Sequence, residues 1–201
     1  MNIELESMAI EMPEVDGHPN RRAFRGVLTL VDAASDKAPS GARGHRVVLT
    51  GKAAERALPS LLGMALDYAP ELDRHDARRK VGIITSAVIE RESKTRAAPA
   101  RRGESPALRA AAERTPGQKL LVSGYLFARD FPEIVGEIRA SGQSRLGMSY
   151  EIADARVADT NAPVWLITEC TFTGAAVLRR DKAAYGRTWI ALTADGGRQT
   201  S

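Results

Sequence analysis

The strongest constraint on the fold of this chain is that its β-prone segments are short and outnumber its helix-prone segments. Alternating or β-branched apolar runs occur at residues 24–31, 45–49, 81–89, 120–128, 146–152, 164–172 and 188–192. A crossover between parallel strands usually contains a helix, and the chain has too few helix-prone segments for repeated crossovers of this kind. These segments therefore predict a mainly β (α+β) fold, with a largely antiparallel sheet or barrel and one to three flanking helices.

Two segments carry helix signals. Thr50 is a suitable N-cap for a helix over residues 52–58, which should end near Pro59. The second segment, residues 131–140, has apolar side chains at the i, i+3, i+4 and i+7 spacing of one buried face, and Asp130 is predicted to cap it.

The net charge of +4, from 29 Lys and Arg against 25 Asp and Glu in 201 residues, is concentrated in one segment. Residues 91–119 hold eight basic and three acidic residues, a net charge of +5, which leaves −1 for the rest of the chain. The segment has few large apolar residues, so it cannot bury enough surface to offset its ordering entropy. We therefore expect a long disordered insertion within a domain spanning residues 21–192, flanked by a loose N-terminal arm (1–20) and a polar tail (193–201).

Other features of the sequence exclude several classes of function. The single Cys170 excludes an intramolecular disulfide framework, and the chain has no metal-site or phosphate-loop motif, so no cofactor or metal is expected. No apolar run reaches the ~18–20 residues of a membrane helix, and the acidic N-terminus is unlike a signal peptide, so we expect no membrane partner and no secretion. Aromatic residues are not interleaved with basic ones along the chain, which argues against nucleic acid as a partner. A nucleic-acid-binding module that uses residues 91–119 stays open as an alternative.

Three residues are candidates for chemistry. His75 lies in a polar loop before the predicted strand at 81–89, a suitable place to present a general base. Ser149 lies on a predicted strand near a glycine, which permits close backbone approach to a nucleophile. Glu169 is a carboxylate in an otherwise apolar strand and would be costly to bury unless it pairs with His75 or with an arginine. An ordinary surface or strand residue is the competing interpretation for each, and Cys170 is predicted to be a core residue.

Taken in order, these segments resemble the prohead (capsid maturation) proteases of tailed phages. The likeness lies between residues 22 and 192, in Gly26-Val27-Leu28-Thr29, in His75-Asp76 before Val81-Gly82-Ile83, in the helix at 131–140 before the Ser149 strand, and in Leu166 to Ala176 with Glu169.

The resemblance implies an antiparallel barrel similar to that of herpesvirus assemblin. It also implies a serine endopeptidase, active inside the immature head in the host cytoplasm, that cleaves extensions of the scaffold and the major capsid protein. By position, His75 would be the general base, Ser149 the nucleophile and Glu169 the residue that orients His75, with no cofactor. A homo-oligomer is compatible with this interpretation.

One stretch departs from the family pattern. The serine motif of the family usually reads hydrophobic-Ser-hydrophobic-Gly-aromatic, whereas this chain reads Leu146-Gly147-Met148-Ser149-Tyr150. A strict alignment places Gly147 at the nucleophile position, and Ser149 would lie on the same face of the strand, about 6–7 Å further along. Either the site is re-registered around Ser149, or the chain is a catalytically inactive homologue that acts as an internal scaffold or assembly protein.

Overall fold

The computed structural model describes residues 18–90 and 118–193. Its strands are β1 (Arg21–Val31), β2 (Arg46–Leu49), β3 (Ala65–Asp67), β4 (Lys80–Glu90), β5 (Gln118–Phe127), β6 (Leu146–Val157), β7 (Val164–Arg179) and β8 (Trp189–Leu192). Its helices are α1 (Gly51–Ala57), a 3-10 helix (Leu58–Leu61) and α2 (Pro132–Ser141). Almost all of the predicted N-terminal arm, basic insertion and polar tail lies outside the described residues.

The eight strands form one mixed sheet in the order β2-β7-β3-β4-β5-β1-β8, with β6 also paired to β7. The mainly β prediction is confirmed, but β7 has two parallel neighbours, β2 and β3, so the sheet is not purely antiparallel. The reason is the connection over residues 50–64, which contains α1 and is long enough for a crossover from β2 to β3. Over these residues the sheet is not closed, and a barrel is not shown.

Both predicted helices are confirmed. The Thr50 hydroxyl accepts a hydrogen bond from the Ala53 amide at 3.3 Å, so the predicted cap of α1 is present. The predicted cap of α2 is not found, because Phe131 occupies the N-cap position and makes no side-chain capping bond. The Asp130 carboxylate instead accepts a hydrogen bond from the Asn20 side chain at 2.8 Å.

A single main core holds the sheet against the helices. It includes Phe24 and Leu28 of β1, Ile84 of β4 and the apolar face of α2. Strand β1 approaches β6 and β8 closely at Gly26, where an added Cβ would lie 2.6 Å from the Met148 sulfur. A side chain at this position would therefore push β1 away from β8 and from β6, one of the strands that carry the site described below.

Strand β7 is longer than predicted and organises the middle of the sheet. Its 16 residues pair with β6 along one edge, while the other edge pairs first with β2 and then with β3. The C-terminal half of β7 contains Gly174, Ala175 and Ala176, and both alanines are fully buried. Small side chains here let the neighbouring strands and the loops that cross them approach β7 closely.

Candidate active site

The candidate site lies where β3, β7 and β6 run side by side. Ala176 of β7 pairs with Ser149 of β6 on one edge and with Asp67 of β3 on the other. Neighbouring strands are about 4.8 Å apart, so the backbones of Ser149 and Asp67 are about 10 Å apart, with only a methyl side chain between them.

Asp67 is the most buried carboxylate of this region, with 1% of its surface exposed. Its Oδ1 accepts a hydrogen bond from the Asp76 amide at 3.2 Å and lies 3.5 Å from His75 Nδ1. Its Oδ2 accepts a hydrogen bond from Lys80 Nζ at 3.3 Å. Asp67 thus joins the end of β3, the loop over residues 68–79 and the start of β4.

The loop over residues 68–79 crosses the end of β7 and presents His75. Leu72 adopts a left-handed conformation, with φ of 52°, which is uncommon for a leucine. Its amide donates to the Ala69 carbonyl at 2.8 Å, and its carbonyl accepts from the Arg179 amide at 2.7 Å. These two bonds hold the strained residue and fix the loop against β7.

The His75 side chain is 17% exposed and lies between two carboxylates. Its Nδ1 is 3.5 Å from Asp67 Oδ1 and 3.8 Å from Glu151 Oε1. Both ring nitrogens are buried, and neither makes a hydrogen bond of good geometry within residues 18–90 and 118–193. Because both carboxylates face Nδ1, the tautomer with a proton on Nδ1 leaves the Nε2 lone pair for a third partner.

The electrostatics keep Asp67 ionised. Burial by itself would raise the pKa of its carboxyl, but the contacts with His75, the Asp76 amide and Lys80 outweigh burial and lower that pKa below its ordinary value. An ionised carboxylate beside Nδ1 favours the tautomer of His75 that carries its proton on this nitrogen.

Ser149 lies on the side of the sheet where His75 is found. Ser149 and Glu151 are two residues apart on β6, so their side chains share a face, and Glu151 contacts His75. Across the part of the chain that the structure describes, the Ser149 hydroxyl has no hydrogen-bond partner. The structure therefore brings Ser149 into the neighbourhood of His75 without a hydrogen bond between them.

The structure does not bring Glu169 to His75. Glu169 forms an ion pair with Arg156 at 3.0 Å, and its side chain is 55% exposed. It precedes Ala176 by seven residues, about 23 Å along β7. The sequence left open a pairing of Glu169 with an arginine, and the structure has this pairing. Because this face of β7 is in solvent, the carboxylate needs no buried partner.

Cys170 is a core residue, as predicted. It follows Glu169 on β7 and points to the opposite face, where it is 8% exposed. Burial raises the pKa of its thiol to about 11, which leaves little thiolate at neutral pH.

Gly147 occupies a position that a serine side chain does not fit. A Cβ added there would lie 2.7 Å from Thr188 Oγ1. Thr188 is fully buried, and its hydroxyl accepts a hydrogen bond from the Met148 amide at 3.2 Å and donates to the Tyr185 carbonyl at 2.9 Å. The hydroxyl is therefore held in place, and Ser149 is the serine of this motif that can face the site.

Sequence reasoning missed the two carboxylates that do contact His75. Glu151 could have been found, because it follows Ser149 at the two-residue period of a strand. Asp67 gave no such signal, because β3 has only three residues and Asp67 reads as the first residue of a polar loop.

The comparisons with known proteins add no relationship: no family model, no curated protein and no solved structure matches this chain. Within residues 18–90 and 118–193, no cluster of His, Cys, Asp and Glu side chains is arranged to hold a metal ion. No helix in the same ranges is both long and apolar enough to span a membrane.

Proposed function

We propose that the protein is a serine endopeptidase of the prohead protease type, with Ser149 as nucleophile, His75 as general base and Asp67 as positioning residue. The observation that carries the proposal is the buried imidazole between Asp67 and Glu151, with Nε2 unbonded, on the sheet face that Ser149 shares. An imidazole oriented by an ionised carboxylate and placed near a free hydroxyl is the arrangement that activates a serine.

In the proposed reaction, Ser149 Oγ attacks the carbonyl carbon of the scissile peptide while His75 Nε2 takes the hydroxyl proton. The imidazolium, stabilised by Asp67, then gives that proton to the leaving amine as the C–N bond breaks. A water molecule hydrolyses the resulting ester, with His75 again as the base, and Ser149 regains its proton. No cofactor takes part.

The proposed reaction requires Ser149 and His75 to come within hydrogen-bond reach, about 2.6–3.2 Å between heavy atoms. Catalytic hydrogen bonds are often long or poorly aligned before substrate binds. The bonds that fix the 68–79 loop against β7 are made at Leu72, and the His75 side chain itself makes no hydrogen bond within the described residues. A small movement of the His75 side chain toward Ser149 on substrate binding is part of the proposal.

The substrate class rests on the sequence resemblance. Four stretches between residues 22 and 192 follow one another in the same order as in the prohead proteases. This likeness favours cleavage of scaffold and major capsid protein extensions inside an immature phage head. The same resemblance supports an assemblin-like arrangement of the sheet, which is the finer form of the mainly β fold described above.

The test has two readouts. A fluorophosphonate probe reacts with an activated serine by forming an O–P bond and releasing fluoride, and peptide mass mapping identifies the labelled residue. We expect labelling at Ser149, lost in Ser149→Ala and His75→Gln. Co-expression with the capsid protein of the same virus should show processing that is lost in the same two variants.

Glu169→Gln is the matched control, because it removes a carboxylate from β7, the neighbour of the Ser149 strand, outside the proposed site. It should label and process as the unmodified protein does. Labelling at another residue, or processing that persists in Ser149→Ala, would rule out the assignment of Ser149.

A second candidate function, an inactive homologue acting as an internal scaffold, is favoured by two observations. The Ser149 hydroxyl is not bonded to His75, and the nucleophile position of the family pattern holds Gly147. This alternative predicts no labelling of Ser149, together with head assembly that needs the protein but is unchanged by Ser149→Ala.

A further inference from the structure

A second feature of the molecule lies on one face of β8, β1 and β5 and uses residues other than those of the proposed protease site. In β1, Phe24 points into the core while Arg21, Ala23 and Arg25 alternate to the other side. Across the register, Ala23 pairs with Tyr125, Arg21 with Phe127, and Val27 with Trp189. Basic and aromatic side chains therefore share this face, which we call the Arg–aromatic face: Arg21, Arg25, Tyr125, Phe127 and Trp189.

The side chains of this face form two cation–π pairs. The Arg21 guanidinium carbon lies 4.6 Å from the centroid of the Tyr125 ring, and that of Arg25 lies 5.9 Å from the centroid of Trp189. Tyr125 also meets Phe127 edge to face, with centroids 5.8 Å apart. Each guanidinium lies over one ring, an arrangement that leaves N–H groups for a ligand.

The charge of the face is not neutralised. Within residues 18–90 and 118–193, neither Arg21 nor Arg25 forms a salt bridge with a carboxylate. Arg25 is exposed, and the three rings are half-buried. A half-buried aromatic platform with two uncompensated guanidinium groups is complementary to a ligand that is both anionic and aromatic.

We propose that the Arg–aromatic face binds single-stranded nucleic acid. Bases stack on the rings and on the guanidinium planes, while the guanidinium N–H groups donate to backbone phosphates. An acidic peptide would satisfy the two charges but would leave the rings without partners, so the aromatic content favours nucleic acid.

Aromatic and basic residues are not interleaved along the chain, and for this reason the sequence alone argues against nucleic acid as a partner. The sheet interleaves them across strands instead, since Arg21 and Tyr125 are about a hundred positions apart but lie on neighbouring strands. A linear pattern cannot reveal a surface of this kind.

The test uses the full chain and a fluorescently labelled oligothymidylate of about 20 nucleotides, with anisotropy measured from low to moderate salt. Arg21→Gln/Arg25→Gln should bind at least ~10-fold more weakly at low salt. Its slope of log affinity against log salt should fall by about 1.4, since each phosphate contact on a single strand contributes about 0.7. The matched control, Arg56→Gln/Arg139→Gln, removes two exposed charges from the helices and should bind within ~2-fold of the unmodified protein.

Base stacking has its own readout. The chain has two tryptophans, so Trp165→Phe leaves Trp189 as the reporter, and its emission should be quenched by the oligonucleotide. An abasic oligomer of the same length should bind more weakly and leave the emission unchanged.

Three outcomes would overturn the proposal. One is no binding at low salt. Another is equal binding of oligothymidylate, the abasic oligomer and polyglutamate, which would indicate a general anion surface. The third is binding that persists in Arg21→Gln/Arg25→Gln, which would assign it to another part of the chain, such as the basic residues 91–119.

Discussion

The two halves of β7 place carboxylates in opposite environments. Beside Ala176, Asp67 is 1% exposed and contacts His75, Lys80 and a backbone amide. In the other half, Glu169 is 55% exposed and forms an ion pair with Arg156. The first carboxylate is held in a protein environment where its charge acts strongly on its neighbours, and the second is screened by water. The chemistry of a carboxylate is therefore set by what surrounds it in the fold rather than by the apolar residues beside it in sequence.

The sharpest test of this difference compares Asp67→Asn with Glu169→Gln. Asp67→Asn removes the charge that would stabilise the imidazolium formed in the proposed reaction. It also no longer favours the tautomer of His75 with its proton on Nδ1. We therefore expect fluorophosphonate labelling of Ser149 to slow about 10³-fold. Chemical denaturation should also show a loss of about 1–3 kcal/mol of unfolding free energy, because buried polar groups lose a charged partner.

Glu169→Gln should leave the labelling rate within about 2-fold of the unmodified protein. The pH profile of labelling separates a positioning role of Asp67 from a purely structural one, because a positioning carboxylate shifts the profile and a structural one only lowers the amount of folded protein. An equal effect of the two substitutions on rate would remove Asp67 from the proposed site.

A second substitution tests our proposal that the nucleophile is at position 149 rather than at 147. Gly147→Ser in a Ser149→Gly background restores the hydrophobic-Ser-hydrophobic-Gly-aromatic pattern of the prohead proteases in sequence. The new Cβ would meet the Thr188 hydroxyl at 2.7 Å, which is held by bonds to Met148 and Tyr185. We expect a loss of about 1–3 kcal/mol in unfolding free energy and no labelling. Recovered labelling at residue 147 would show that the family register is still usable.

Much of the fold could be predicted from local pattern. The alternation in β1 and the apolar face of α2 are set by near neighbours, so sequence reasoning places them well. The parallel pairing of β2 and β3 with β7 could not be predicted, because it depends on where the α1 crossover returns the chain.

The residues of the candidate site likewise differ in how far local sequence predicts them. His75 and Ser149 were singled out by their local context, and the structure places them on one face of the sheet. Asp67 was missed because its importance comes from the register of a three-residue strand. Glu169 was chosen because its strand is apolar, yet burial of one strand face says nothing about the other.

A pH titration of stability isolates the contribution of Asp67. Its pKa is lowered in the folded protein, so its stabilising effect is complete above the unfolded pKa of about 3.9 and is lost as the pH falls through the lower folded pKa. The difference in unfolding free energy between the unmodified protein and Asp67→Asn should therefore shrink between pH 5 and pH 2. A difference that stays constant over this range would mean that the folded and unfolded pKa values are alike.

The smallest expected effect lies at the other half of β7. Arg156 Nε lies only 3.0 Å from Glu169 Oε2, but the two side chains are 77% and 55% exposed. Exposed pairs typically contribute 0.2–1 kcal/mol, so a double-mutant cycle with Arg156→Gln and Glu169→Gln should give a coupling of about 0.5 kcal/mol or less that falls further with added salt. The unfolding free energy of each single variant should lie within about 0.5 kcal/mol of that of the unmodified protein. A coupling above about 2 kcal/mol would show that this pair is shielded from solvent. Glu169 and Asp67 would then not differ in solvent exposure as the structure indicates.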